Sequence, residues 1–223
     1  MESDSCVALV TGAGRGIGLE LCRQLQKQGQ NVIAVTNGDG AAPRELGVEV
    51  VAGIDLTEDQ GRRSVLEALR DRKVGLLVNS AGIVEPNDLA GLDEASVMKQ
   101  FQINALAPIL LARELLPHLY MGTKLVFLTS RMGSIGDNTS GGHYGYRASK
   151  AALNVMLKSL SVDLKPLEVC VGIIHPGLVQ TRMTGFTGRS AEVAVQEILQ
   201  RISELDLEKS GIFFHADGSV LPW

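Results

Sequence analysis

The property of this chain that most restricts its fold is an alternation of two kinds of segment. Short runs that are apolar on nearly every residue recur from end to end, at residues 6–10, 32–35, 48–51, 74–78, 125–128 and 169–174, with 212–214 as a seventh. A strand that carries apolar side chains on both faces has to be covered on both faces, as in a buried parallel sheet. The longer segments between the runs read as helices: 16–28, 57–70, 93–118, 144–164 and 190–204. In the first of them Ile17, Leu21 and Leu25 share one face. Thr57-x-x-Gln60 has the form of a capping box, Ser190 that of an N-cap, and Pro166 ends the fourth segment. Strand and helix in strict succession imply right-handed crossovers, hence an α/β fold with a doubly wound parallel sheet of about seven strands and helices on both faces. With no linker, repeat or low-complexity tract, residues 1–223 are expected to form a single domain.

Charge and cysteine usage exclude whole classes of function. Twenty-one basic and 25 acidic residues leave a net charge of −4 with no Lys/Arg run, so no nucleic-acid partner is expected. No stretch approaches the roughly 18 uninterrupted apolar residues of a membrane span. The acidic lead-in Met1-Glu2-Ser3-Asp4 is unlike the basic start of a secretory signal, so a cytoplasmic protein is expected. Cys6, Cys22 and Cys170 form no CxxC pair and lie in apolar segments, which reads as buried free thiols in a reducing compartment. His118, His143, His175 and His215 have no metal-ligand spacing, and no metal is expected.

The first apolar run passes into Thr11-Gly-Ala-Gly-Arg-Gly-Ile-Gly18, and a helix follows at once. Glycines at Gly12, Gly14, Gly16 and Gly18 let the backbone turn tightly and let a pyrophosphate approach, while the helix start at Arg15 and Ile17 offers free N–H groups to phosphate. Further along come Asn79-Ser-Ala-Gly82, Asn104, Ser130, Tyr146-x-x-x-Lys150 and Pro176-Gly177. In this order the motifs resemble those of the short-chain dehydrogenases/reductases over essentially the whole chain. Asn79-Ser80 departs slightly from the family's usual Asn-Asn. The stretch from Ser130 to Gly142 and the segment Asp217-Gly-Ser-Val-Leu-Pro-Trp223 resemble the small reductases related to C-factor and the sniffer carbonyl reductase. The resemblance implies a Rossmann-type domain that binds NADP(H) or NAD(H) and moves a hydride between nicotinamide and a carbonyl or alcohol carbon.

Tyr146 and Lys150 stand four apart on a helix, so they share a face. A nearby ammonium favours phenolate and lowers the tyrosine pKa, fitting Tyr146 to donate or accept the reacting proton. Ser130 directly follows a strand, at the sheet edge where α/β folds gather ligands, and can stabilise charge on the substrate oxygen. Ser134 is its rival: it lies 12 residues before Tyr146, whereas Ser130 lies 16 before it, an interval longer than is usual in the family. The position of Ser130 directly after the strand favours it, and the extra residues read as a loop insertion carrying Gly141 and Gly142. Pro108 has no N–H to give the carbonyl of Asn104, so a kinked helix with a freed carbonyl is expected there. The resemblance implies that this carbonyl holds a water in a relay to Lys150, and that Lys150 bonds the nicotinamide ribose.

For the cofactor, no acid directly follows the second run; Thr36 and Asn37 do, with Asp39 beyond them. With Arg15 these suit a 2′-phosphate, so NADP(H) is favoured and NAD(H) is the alternative. The resemblance further assigns Asp55 and Leu56 to adenine, Asn79, Ala81 and Gly82 to the cofactor strand end, and Pro176, Gly177, Val179 and Thr181 to the nicotinamide. Residues 182–189 are expected to form a brief lid whose sizeable apolar groups are Met183 and Phe186, facing a small neutral carbonyl or alcohol substrate. Residues 36–48 leave little room for a full crossover helix, so thin walls on both ligand sides and broad substrate tolerance are expected. The resemblance also implies a homodimer or homotetramer paired through the long helices before and after the Ser130 strand. The expected activity is NADPH-dependent carbonyl reduction. NAD-dependent alcohol oxidation and a cofactor-binding signalling role of the C-factor type are the alternatives.

Overall fold

The computed structural model describes residues 6–223. The lead-in Met1-Glu2-Ser3-Asp4 lies outside the described residues. The strands are β1 (Cys6–Thr11), β2 (Val32–Val35), β3 (Glu49–Val51), β4 (Lys73–Asn79), β5 (Lys124–Leu128), β6 (Cys170–His175) and β7 (Phe213–His215). They form one parallel sheet in the order β3-β2-β1-β4-β5-β6-β7. The helices are α1 (Gly16–Lys27), α2 (Ala41–Glu45), α3 (Asp59–Leu69), α4 (Glu94–Phe101), α5 (Ala107–Glu114), α6 (Tyr144–Asp163) and α7 (Ala191–Glu204). Among the described residues no helix is long and apolar enough to cross a membrane.

The doubly apolar runs behave as the pleat requires. Val7 and Leu9 of β1 face a core shared with α3, α5 and α6, through Val65, Leu69, Leu111, Leu153 and Leu157. The alternate residues Ala8 and Val10 face the other core, under Leu21 and Leu25 of α1 and Ile198 of α7. Small residues on that second face, Ala8 and Ala34, keep the layer thin and let α1 lie close to the sheet. Cys22 and Cys170 are buried in it as expected. Cys6 is only half-buried, because it opens β1 at the sheet's rim, where its Sγ lies 3.1 Å from Tyr120 Oη.

Two local readings change. Thr57 does not cap a helix: α3 starts at Asp59 after Glu58, and Thr57 instead turns back, its N–H and Oγ1 both donating to Asp55 Oδ1. A two-residue Asx turn competes with the capping box and wins, since Asp55 needs a donor where β3 has ended. The long helix expected over residues 93–118 is not a simple kinked helix. α4 widens into a π turn over Gln102–Leu106 before α5 resumes with Pro108 in its first turn. Proline's missing N–H removes one rung of the ladder, and a wider turn upstream absorbs the mismatch. The second crossover is indeed brief, since α2 has five residues.

Arg62 ties this side of the molecule together from beneath. Its Nε donates to Glu114 Oε1 at 2.9 Å, joining α3 to α5, and its Nη1 donates to the carbonyls of Leu56 and Thr57 at 2.9 and 3.1 Å. Both partners of the pair are largely buried. Removing one buried charge strands the other, at a cost of about 3–5 kcal/mol, whereas an apolar pair of like volume is nearly neutral. Chemical denaturation should therefore find Arg62→Met destabilised by roughly 3 kcal/mol, with much of the loss recovered in Arg62→Met/Glu114→Leu. Equal stability of the single variant and the unaltered chain would refute this.

Candidate active site

The strand order reverses at β1, whose neighbours β2 and β4 feed crossovers to opposite faces. Ligands of open α/β sheets bind outside the carboxyl ends of the strands at such a point. The glycine turn lies there. Gly12 and Gly16 have φ of +65° and +56°, a region that side chains rarely tolerate. A Cβ on Gly12 would lie 2.7 Å from the backbone N of Ala81, one on Gly14 2.6 Å from Thr36 Oγ1, and one on Gly16 3.2 Å from Thr181 Cγ2. The turn thus touches the ends of β4 and β2 and the segment after β6, three of the segments that the sequence groups around a cofactor. Gly18 lets α1 sit directly on the Gly12 carbonyl.

These residues fit a dinucleotide pyrophosphate. Arg15, the N-cap of α1, is extended, makes no side-chain cap, and no acidic residue follows in the first turn. The helix start therefore keeps its free N–H groups and positive dipole end for an anion. Thr11 Oγ1 donates to Asn79 Oδ1 at 2.8 Å, stitching β1 to β4, while Asn79 Nδ2 is a buried donor with no protein acceptor.

Beyond β4 the chain runs directly into the reacting groups. Ile83 is held at both its N–H and its carbonyl by the Asn104 carboxamide, at 2.8 and 2.9 Å, and Asn104 Nδ2 also donates to Ser149 Oγ at 3.0 Å. Ser149 Oγ in turn donates to the Tyr146 carbonyl at 2.8 Å. Asn104 sits within the π turn, which locally alters the helix that presents it. Its side chain was not assigned a task from the sequence, and neither was Ser149. The signal for Ser149 was its place inside Tyr-x-x-Ser-Lys. Gly82 passes close over this carboxamide, a Cβ there lying 3.2 Å from Asn104 Oδ1.

Tyr146, Lys150 and Ser130 converge. Both α6 side chains are buried, with Lys150 Nζ 5.9 Å from the centre of the Tyr146 ring. Ser130 lies beside the Tyr146 hydroxyl and accepts from the N–H of Met132 at 3.1 Å. Its rival Ser134 is occupied in a turn, accepting from the N–H of Asp137 at 3.1 Å. The electrostatics differ from the sequence expectation. Burial holds the Tyr146 phenol above its ordinary value, with the Ser130 hydroxyl pulling the other way. Lys150 spends its ammonium on the Leu128 carbonyl at 3.0 Å, and burial lowers it to about 8. Desolvation is the larger effect on both groups.

At the end of β2 Thr36 is buried, its Oγ1 accepting from Gly38 N–H, and Asn37 donates to the Ile54 carbonyl, which brings residues 36–37 beside Asp55 and Leu56. Asp39 is turned away to accept from Ala41 N–H at the start of α2. After β6 Thr181 caps a short turn over Arg182–Thr184, Val179 is buried, and Arg189 Nη2 donates to the Pro176 carbonyl at 3.1 Å. Gly177, at φ +79°, is packed against the Arg189 guanidinium. Arg189, an anchor for this segment, carried no motif signal in the sequence. Met183 and Phe186 of the segment expected to form a lid are exposed.

The lowered Lys150 pKa has a thermodynamic consequence. Between about 8 and 10.5 the unfolded chain binds more protons at this site than the native one, so this group's contribution to stability rises with pH across that window. Thermal melts of the cofactor-free protein beside Lys150→Met check it. The Tm difference should move toward the unaltered chain as pH rises from 8 to 10.5; a constant difference would contradict it.

Comparison with known proteins gives one answer. The family model described as short chain dehydrogenase matches residues 6–192. The chain is 37% identical over 222 residues to 1-hydroxy-2-glutathionyl-2-methyl-3-butene dehydrogenase of Rhodococcus sp. (strain AD45), covering 96% of this chain and 98% of that one. It is 41% identical over 154 residues to C-signal of Myxococcus xanthus, covering 67% of this chain and 93% of that one. Among solved structures, the carbonyl reductase Sniffer of D. melanogaster superposes with a TM-score of 0.86 at 30% identity, covering 97% and 99% of the two chains. A carbonyl reductase from Pseudomonas aeruginosa PAO1 in complex with NADP superposes with a TM-score of 0.87 at 29% identity, covering 98% and 99%. The motif order, the glycine turn at the switch point and these matches agree: the chain belongs to the short-chain dehydrogenase family and is an NAD(P)-dependent oxidoreductase.

Proposed function

We propose that this protein is an NADPH-dependent carbonyl reductase acting on small neutral ketones or aldehydes, from one cofactor-binding domain over residues 1–223. The observation that carries the reading is the Ser130–Tyr146 hydroxyl pair set over the buried Lys150 ammonium. When bound, the reduced dinucleotide supplies the hydride. Ser130 donates a hydrogen bond to the substrate oxygen and stabilises the charge that builds there. Tyr146, held protonated by its burial, gives that oxygen its proton. Lys150 bonds the nicotinamide ribose and returns a proton to Tyr146, its own proton being replaced from a water held at the Asn104 carbonyl. Gly12, Gly14, Gly16, Gly18, Arg15 and Ile17 receive the pyrophosphate, and Pro176, Gly177, Val179 and Thr181 flank the nicotinamide.

Choice of NADP(H) is supported by the end of β2, where Thr36 and Asn37 replace the acid that would take a ribose 2′-hydroxyl and Asp39 is spent on α2. The NADP complex of the Pseudomonas relative supports it further. Alcohol oxidation by the same groups is the second reading, favoured by the name of the Rhodococcus relative. The brief lid with exposed Met183 and Phe186 supports wide tolerance of apolar substrates. Exposed Met98, Leu106, Val155 and Val162 on α4, the π turn and α6 suit a self-association face, and the free thiols suit the cytoplasm.

Two measurements test the assignment. An NADPH-consumption assay over neutral ketones, aldehydes and quinones should find turnover, and Tyr146→Phe should lose on the order of 10²–10⁴-fold in kcat while its NADPH Kd stays within about twofold. Turnover near that of the unaltered protein would overturn it. Fluorescence titration should give at least roughly tenfold tighter binding of NADPH than of NADH; the reverse order would assign NAD(H).

A further inference from the structure

The loop between Ser130 and Tyr146 is gripped by one side chain. Arg147 donates from Nε to the carbonyls of Gly141 and Gly142 at 3.3 and 3.2 Å, from Nη2 to Ser140 Oγ at 2.8 Å, and from Nη1 to the carbonyl of Met132 at 3.4 Å. These acceptors lie at opposite ends of the loop. Met132 belongs to the short turn Arg131–Gly133, whose first N–H groups close onto Ser130: Met132 N onto its hydroxyl and Gly133 N onto its carbonyl, at 3.1 and 2.8 Å. Residues 140–142 lead into His143, the N-cap of α6, which makes no side-chain cap of its own. The arginine therefore ties both ends of the loop to α6 from within the helix.

The backbone is shaped for this contact. Gly141 and Gly142 both take φ of +62°, and two successive left-handed residues turn their carbonyls to the same side. The other end of the loop is packed flush on α6, since a Cβ on Gly133 would lie 2.7 Å from the Lys150 backbone. A second tie, the ion pair of Arg131 with Asp137, closes the near half of the loop on itself. The long interval between Ser130 and Tyr146 is thus a closed structure with a guanidinium at its neck. A planar fork with five donors suits four diverging acceptors; a lysine ammonium reaches fewer of them.

We propose that Arg147 is a positioning residue for the reaction: by holding Met132 and residues 140–142 together it sets the spacing of the Ser130 and Tyr146 hydroxyls. It touches neither hydroxyl and acts through the loop. The proposal rests on the carbonyl-reductase reading above. Misplacing reacting groups by about 1 Å costs up to roughly 10²-fold in rate with little change in binding.

The test uses the full chain, NADPH and a neutral aryl ketone as the probe. Arg147→Met should lose roughly 10- to 100-fold in kcat, with ketone KM and NADPH Kd within about twofold. Arg147→Lys should fall between it and the unaltered chain. Ser140→Ala, an exposed position outside the hydroxyl pair, removes one acceptor without risk to the fold and should lower kcat in the same sense by a smaller factor. Unchanged kcat in these variants, or a kcat loss matched by loss of NADPH binding, would overturn the positioning role alone. Absence of any carbonyl turnover by the unaltered protein would overturn the underlying reading and this one with it.

Discussion

A parallel sheet buried on both faces sets the terms for the rest of this molecule. Its strands pair only if the chain returns each time across a face, so every strand ends at the same edge and every crossover leaves from there. Seven strands in the order β3-β2-β1-β4-β5-β6-β7 bring Thr11, Thr36, Asn79, Ser130 and Pro176 to that edge from five different strands. None of these residues is near another in sequence. Their convergence follows from covering apolar surface on two sides, through the cores built around Leu9 and Val10 of a single strand.

That edge is also where polar groups are buried, and several of them are compensated one by one. The Asn104 carboxamide is saturated by Ile83 and Ser149, and Lys150 leans on the Leu128 carbonyl. A buried amine with one carbonyl partner remains poorly solvated, which is why its pKa falls to about 8. The tyrosine beside it moves the opposite way for the same reason, burial disfavouring the charged form of each. Such groups are held in place by the two apolar cores beneath them and contribute little stability of their own.

Much of this was legible in the chain itself. The strand runs at 32–35 and 125–128 agree with the structure to within a residue, because a doubly apolar run bounded by polar residues has few other places to go. The glycine turn was legible because steric exclusion is local: Gly12 and Gly16 need positive φ and Gly14 has no room for a Cβ. Where the reading failed, two local options of similar energy competed. Thr57 had a capping box and an Asx turn to Asp55 available, and tertiary placement of Asp55 chose the second. Pro108 announced a disturbed helix, but whether the disturbance became a kink or a π turn depended on how Asn104 had to face Ile83 and Ser149.

The sequence by itself determined the α/β class, the order of the motifs and the membership of the short-chain dehydrogenase family, since periodicity and steric demands act over a few residues. The tertiary structure alone decided which serine meets Tyr146, which way Asp39 turns, how far burial shifts Tyr146 and Lys150, and that Arg147 closes the loop between the two hydroxyls. Those outcomes depend on desolvation and on hydrogen bonds between segments far apart in the chain. Such quantities exist only once the sheet has brought the segments to one edge.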